Sequence, residues 1–494
     1  MTTVDRRSFL KATGVTAGAT LVASTGLQVL STRLASAAPR RGANTDYGPL
    51  APRKAVNSSD TWLALPEGFS YSILTRTGQP MTDGVPTPRA HDGMGAFPLP
   101  GGRTRLICNH EIRFGGSGQG PFTIDGAGSY DPGAQGGTTI IDFDPRTFAT
   151  TGGKVQDYVS SKGSVVNCAG GVAFRGTGWI TSEEIVQNPS ASTGITQRHG
   201  YNFLVPVGTE LGAPATPQPL KAMGRMAHEA VAVDPRTGIV YETEDAGSGR
   251  GSGFYRVLPV DPNDLGTGGE LQILAIKDRP QADLREGQRQ GKPLPVEWIT
   301  ITDPDPAGTA PNAVFEEGFA KGAAKFNRLE GCWDGDGSIF FASTSGGDVK
   351  NGDVNGDGFR EGYGQIWEYR PRGNSGGQLI LLFESPDGAV LDSPDNIVVT
   401  PRGGILICED DASSNNLGQD DESEFFMEDK NRLIGLTLDG VAFPFAENVV
   451  NDSELAGACW SADGEFLFVN VYGYDTAGSG GTLAITGPWE RGAL

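Results

Sequence analysis

The chain is poor in sulfur and imidazole, with five cysteines and four histidines in 494 residues. A sparse, odd set of cysteines excludes a secreted scaffold built on disulfides. The histidines do not recur in a nucleophile–base pattern, and no Ser-His-Asp arrangement is evident. Cations are scarce too: 39 Lys and Arg stand against 60 Asp and Glu, for a net charge of −21. Such a chain repels nucleic acid phosphates and anionic lipid, so neither is an expected partner. No long, strongly apolar run occurs, which argues against a membrane span in the mature protein. Long amphipathic helical patterns are equally scarce.

The N-terminus carries what the rest lacks. Arg6 and Arg7 are followed by Ser8, Phe9, Leu10 and Lys11, the order of a twin-arginine export signal. A soft run from Ala12 to Leu30 follows, then Arg33 and the small residues Ala35-Ser36-Ala37. This pattern predicts a signal peptide over 1–37, use of the twin-arginine translocase, and a mature chain outside the cytoplasmic membrane, secreted or periplasmic. Cleavage removes four cations and only one acid, Asp5, so the mature chain is more acidic still. A protein folded before export can load a metal in the reducing cytoplasm, so a free thiolate ligand is compatible with this route.

Gly and Pro, 73 and 32 residues, punctuate the whole chain. Between them recur short alternating runs, the signature of an all-β fold. Six stretches resemble one another: "HDGMGAFPLPGGRTRLICNHE" from His91, "CAGGVAFRGTGWITSEE" from Cys168, "HEAVAVDPRTGIVYETED" from His228, "EGCWDGDGSIFFASTS" from Glu330, "PDNIVVTPRGGILICED" from Pro394 and "LAGACWSADGEFLFVNVY" from Leu455. Each joins a polar residue beside a small one to a short apolar strand, a Gly-bearing turn and a second strand. Turns such as Asp234-Pro235-Arg236-Thr237-Gly238 supply the φ values a hairpin needs. The pattern predicts a six-bladed β-propeller over 38–494 with its functional site at one mouth of the central channel.

In a propeller the start of the inner strand and the end of the next strand meet at one mouth. That geometry collects Asp92, Cys168, Glu229, Glu330 and Asp395 from the starts, with Glu454 just ahead of the last. From the ends it collects Asn109, Glu111, Glu183, Glu184, Glu244, Glu409 and Asp410. Candidate cations to match them are Arg328, His110 and His228. Two like charges about 4 Å apart cost roughly 4 kcal/mol at an effective dielectric near 20, so this many acids call for bound cations. Oxygen ligands suit Ca²⁺, whereas the Cys168 thiolate suits a transition metal.

These residues resemble the PhoX-type alkaline phosphatases. The resemblance runs through "NHE" at Asn109, "NCAGG" at Asn167, "GRMAHEAVAVDPRTGIVYETED", "FNRLEG", "PDNIVVTPRGGILICED" and "SELAGACWSADGEFLFVN", over nearly the whole mature chain. It implies a six-bladed propeller with iron (Fe³⁺) and calcium (Ca²⁺) around a bridging oxo group, hydrolysing small phosphomonoesters. By that resemblance Cys168, Glu229 and Glu330 are iron ligands. Glu111, Glu183, Asp395, Glu409, Glu454 and Asn109 are calcium ligands, and Arg328 binds phosphate. A monomer is expected.

Asp353-Val354-Asn355-Gly356-Asp357-Gly358 resembles the opening of a calcium loop but has Gly364 where a bidentate Glu belongs, so it reads as a solvated turn or weak site. The run Asp420-Asp421-Glu422-Ser423-Glu424 reads as a solvated insertion, and the Gly-rich stretch from Gly478 to Gly481 as turns. Two rivals stay open. One is a calcium propeller hydrolysing lactones or esters, which leaves Cys168 and the excess acids unexplained. The other is a binding propeller, for which Arg328 would pair with a carboxylate away from the mouth. Export is directly testable: replacing Arg6 and Arg7 together by Lys should hold the precursor in the cytoplasm, read by fractionation and immunoblot.

Overall fold

The computed structural model describes residues 47–114, 128–247, 249–308, 310–410, 430–437, 440–473, 478 and 480–494. The twin-arginine segment, the acidic run at 420–424 and Ser479 lie outside these residues. The described chain is all-β, with helices confined to Phe148–Thr151, Ala313–Ala320 and short 3-10 turns. No helix among the described residues is long and apolar enough to cross a membrane.

Each of the six repeats forms an antiparallel hairpin. The inner strands are His91–Leu99, Asn167–Val172, His228–Val233, Leu329–Gly335, Pro394–Val399 and Leu455–Trp460. Their partners are Arg103–His110, Gly178–Glu183, Val240–Glu244, Ser338–Ser343, Ile405–Glu409 and Leu467–Val471. Each inner strand packs on the next, and the sixth packs back on the first, so the arrangement is propeller-like. The ring closes through the N-terminal strand Ser70–Ile73, which pairs with Gly481–Thr486 as the outer strand of the sixth repeat's sheet.

The hydrogen-bonded sheets do not divide into six equal blades. The first and sixth repeats make four-stranded sheets and the second a three-stranded one, while the fifth gains Ala51–Arg53 and Leu63–Leu65 to reach six. The third and fourth repeats share nine strands, because Leu294–Thr300 pairs with both Gly269–Ile276 and Gly377–Glu384. An inserted strand that satisfies an edge on both sides fuses two sheets that a hairpin pattern would separate.

Apolar clusters fill the seams between successive repeats. Phe97, Ile107 and Tyr158 of the first meet Trp179 and Val205 of the second. Phe340 and Ile366 of the fourth meet Ile397 and Ile407 of the fifth, and Leu106 and Ile141 of the first meet Phe468 and Ala484 of the sixth. At the axis the inner strands come too close for side chains: a Cβ on Gly93 would lie 2.5 Å from the Ala169 Cα. That is why each polar residue of the repeat stands beside a small one.

The stretch at 353–358 is an ion-paired turn between Lys350–Val354 and Arg360–Gly362. Asp357 binds Arg285 at 2.7 Å and Lys325 at 2.8 Å, which makes it a poor calcium ligand.

A buried relay braces the second repeat. His199 Nδ1 lies 2.7 Å from Glu183 Oε1 and its Nε2 3.2 Å from Asp131 Oδ2. Burial lowers the proton affinity of the imidazole, but Glu183 and Asp131 more than reverse this and raise it from 6.5 to about 9. A raised folded-state value gives stability that is complete below pH 6.5 and lost as pH rises through about 9. Thermal melting across this window should therefore fall more steeply with pH in the wild type than in His199→Gln.

Candidate metal centre

One hydrogen bond recurs at the mouth of every hairpin. The residue after the second strand donates its N–H to the residue before the inner strand: Glu111 to Ala90, Glu184 to Val166, Asp245 to Ala227, Thr344 to Arg328, Asp410 to Ser393 and Tyr472 to Glu454, at 2.9–3.2 Å. In four repeats the acceptor residue is a non-glycine in the left-handed region: Ala90, Val166, Arg328 and Ser393 have φ of 42–50°. Such backbone costs about 1–3 kcal/mol per residue and persists only where its surroundings impose it. Two residues on, the inner strand carries a β-bulge in the first five repeats, and three residues on in the sixth. In the first five repeats the bulged residue is Asp92, Cys168, Glu229, Glu330 or Asp395. A bulge breaks the alternation of the strand and re-aims a side chain.

The sixth repeat departs from the rule. Its bulge holds Gly457 at φ 62°, where a Cβ would sit 2.4 Å from the Asp92 carbonyl oxygen. Its acid comes instead from the acceptor position, Glu454, which Arg328 occupies in the fourth repeat.

Three overlapping sets of ligand atoms result, each within 4.8 Å: Cys168, Glu184 and Glu229; Glu229, Glu330 and Asp395; Asp395, Asp410 and Glu454. Glu229 and Asp395 belong to two sets each, so the sets form one continuous arc. Both Glu229 carboxylate oxygens are buried with no hydrogen-bond partner among the described residues, as is Asp92 Oδ1. Burial, then Glu330 and Asp395, push Glu229 well above the usual carboxylate range. Burial and Asp410 raise Asp395 to about 7. Burial, then Asp92 and Glu229, push the Cys168 thiol up as well. Orphaned oxygens, one thiol and crowded acids make a donor set that fits metal ions.

Among the described residues two guanidiniums border the arc. Arg328 lies 2.9 Å from Asp245 and 3.1 Å from Glu330, and Asp245 raises its proton affinity despite burial. It is thus paired at the mouth, not away from it. Arg113 binds Glu111 and lies 3.7 Å from Glu184, while the Tyr472 hydroxyl donates to the other Glu111 oxygen. Sequence reasoning missed Arg113, Asp245 and Tyr472.

Three residues expected as ligands are engaged elsewhere. Glu183 accepts from the Val165, Gly200 and Tyr201 amides and pairs with His199. Glu409 pairs with Arg432 at 2.6 Å and accepts from the Asp392 amide. Asn109 donates to the carbonyls of Cys168 and Ala169 and accepts from Trp179, so it braces the bulge. Glu184 and Asp410, the second members of their acid doublets, stand in the ligand sets. Glu244 likewise turns away to Tyr255, and its neighbour Asp245 faces Arg328. The histidines add no ligand. Burial lowers His110 to about 4, so it stays neutral, and His228 pairs with Glu242. All five cysteines are buried free thiols, and Cys168 is the one among the ligand sets.

Beyond the acids the channel narrows to a cavity of about 20 Å³ lined by Gly93, Ala169, Ala230, Gly331, Asn396 and Ala458, room for roughly one water.

The sequence profile of the family described as alkaline phosphatase PhoX matches residues 45–475. The chain belongs to the PhoX alkaline phosphatase family. Among solved structures it is similar to Pseudomonas fluorescens PhoX in complex with vanadate, a transition state analogue, with a TM-score of 0.62 and 18% identity over 91% of this chain and 98% of that one. At that identity the likeness shows the fold. A luciferin-regenerating enzyme aligns over 85% of this chain and 96% of its own at 10% identity, with a TM-score of 0.41, too low to carry an argument. No curated protein matches. PhoX membership supports a phosphatase and, with the acidic sets, a metal-dependent one.

In this PhoX-family chain the two members of an acid doublet are separable by experiment. Glu183→Gln should cost about 1–3 kcal/mol of stability by weakening a buried hydrogen-bonded network while bound metal is retained. Glu184→Gln should lower metal per chain without destabilising the metal-free fold. Melting curves and elemental analysis distinguish the two.

Proposed function

We propose that this protein is an exported, metal-dependent phosphomonoesterase with an iron and calcium centre at the mouth of a six-bladed propeller. The observation that carries the reading is Glu229: a fully buried carboxylate with both oxygens unpartnered among the described residues, shared by a thiol-containing ligand set and an all-carboxylate one. The twin-arginine signal over 1–37 and a single propeller over 38–494 belong to this reading. Six hairpins in a closed ring, with an apolar cluster in each seam, support six blades whose outer strands have partly fused.

The residues divide by chemistry. Cys168 with Glu184, Glu229 and Glu330 would hold the iron, since a thiolate prefers a transition metal. Asp395, Asp410 and Glu454, with Glu111 nearby, would hold calcium through oxygen alone. In this assignment Glu184 and Asp410 take the places expected for Glu183 and Glu409, and Asn109 is a brace. Bound here, the ions would offset the charge of a phosphate dianion and activate the attacking oxygen.

The chain's own groups do the rest. Asp245 and Glu330 fix Arg328 through its Nε and Nη2 atoms, and Nη1 makes no hydrogen bond among the described residues. A planar donor so oriented suits the non-bridging oxygens of a phosphoryl group. A lactone-cleaving calcium site would need neither the thiol nor this many acids, and a binding scaffold would not need Arg328 at the mouth.

Cys168 gives the test. The purified, exported protein should carry iron and a thiolate charge-transfer colour, and Cys168→Ser should bleach it and cut phosphomonoesterase activity severely. Ser variants at Cys108, Cys332, Cys408 and Cys459 should mainly alter stability. A colourless, iron-free wild type that still hydrolyses phosphomonoesters would overturn the two-metal centre.

A further inference from the structure

We propose that Arg113 is a second phosphate-gripping residue, set opposite Arg328 across Glu229; the inference rests on the phosphatase reading and deepens it. Arg113 follows the first repeat's second strand by three residues, on the segment that delivers Glu111 to the mouth. It lies 3.7 Å from Glu184, which shares a ligand set with Cys168 and Glu229. On the other side Arg328 lies 3.1 Å from Glu330, which shares the adjoining set with Glu229. Contacts thus run from Arg113 to Glu184, Glu229, Glu330 and Arg328, so the shared carboxylate links the two guanidiniums. Glu184 lies in the field of both arginines, so they bracket one site.

Exposure points the same way. The Arg113 side chain is 53% exposed and that of Arg328 32% exposed, whereas the acids they touch are nearly covered. Both cations thus reach the face from which a substrate enters. A guanidinium has five donors, and Arg113 commits one nitrogen, Nη2, to carboxylates. An incoming phosphoryl group, with charge on three equatorial oxygens, can be gripped from both flanks only if a donor stands on each.

The test uses the metal-loaded mature protein with Arg113→Met, which keeps the apolar stem, and Arg113→Lys, which keeps the charge. Binding of inorganic phosphate is measured by calorimetry, kcat and KM with p-nitrophenyl phosphate, and iron and calcium by elemental analysis. Arg113→Met should weaken phosphate about tenfold or more, as loss of a charge-assisted hydrogen bond does, with metal content unchanged. Arg113→Lys should recover part of it. Wild-type phosphate affinity in Arg113→Met overturns the proposal. So does metal loss in Arg113→Met that Tyr472→Phe reproduces, since Arg113 would then only steady Glu111. Arg328→Met separates the two readings: if it weakens phosphate and Arg113→Met does not, only the second grip falls. A wild type that neither binds phosphate nor hydrolyses the ester removes the phosphatase reading itself.

Discussion

The structure depends on a hydrogen bond made six times, from the residue after each second strand to the residue before each inner strand. It closes the mouth end of every hairpin and fixes the backbone just ahead of the bulge. Because the acceptor residue is forced into the left-handed region in four repeats, the strand enters the channel at a set angle. In the first five repeats the bulge then turns one side chain toward its neighbours, and in the sixth Glu454, just ahead of the strand, takes that place. A local backbone constraint, repeated around a ring, thus assembles residues far apart in sequence, from Cys168 to Glu454, into one arc.

That arc is costly on its own. Asp92, Glu111, Glu184, Glu229, Asp245, Glu330, Asp395, Asp410 and Glu454 share the mouth with two guanidiniums, Arg113 and Arg328. Burial and repulsion from neighbouring carboxylates both oppose ionisation of Asp92, Glu184, Glu229, Glu330, Asp395 and Glu454, so several of these can be charged together only beside cations. The rest of the fold holds them in place against that repulsion. Apolar clusters lock the seams, and the N-terminal strand Ser70–Ile73 ties the ring shut. Gly457 serves the same end: it gives up a side chain so that the sixth strand can approach the first.

The acid doublets show how one sequence motif supplies both strut and ligand. Glu183, Glu244 and Glu409 are the last residues of their strands and turn outward to His199, Tyr255 and Arg432. Glu184, Asp245 and Asp410 follow them and face the channel. Neighbouring residues at a strand end point to opposite sides, so two adjacent carboxylates have opposite duties. The first fastens the hairpin to the outer layer, and the second enters the site.

The repeat, the all-β character and most bulge residues were legible in the sequence, because each follows from local pattern. Cys168, Glu229, Glu330 and Asp395 stand at one register in successive repeats, and a recurring polar residue beside a small one marks a strand that runs along an axis. The choice within each doublet was not legible, since it turns on where a strand ends, and a one-residue slip reverses the facing of a side chain. The partners of Glu183 and Glu409 lie 16 and 23 residues away, on segments with no resemblance between repeats. Nor could sequence place Arg113, which belongs to no repeat position, or foresee that Leu294–Thr300 would join two sheets. Sequence alone determined which residue types recur and hence what chemistry the channel can hold. Tertiary structure decided which oxygen faces which, because orientation at a bulge or strand end is set by contacts that no local pattern records.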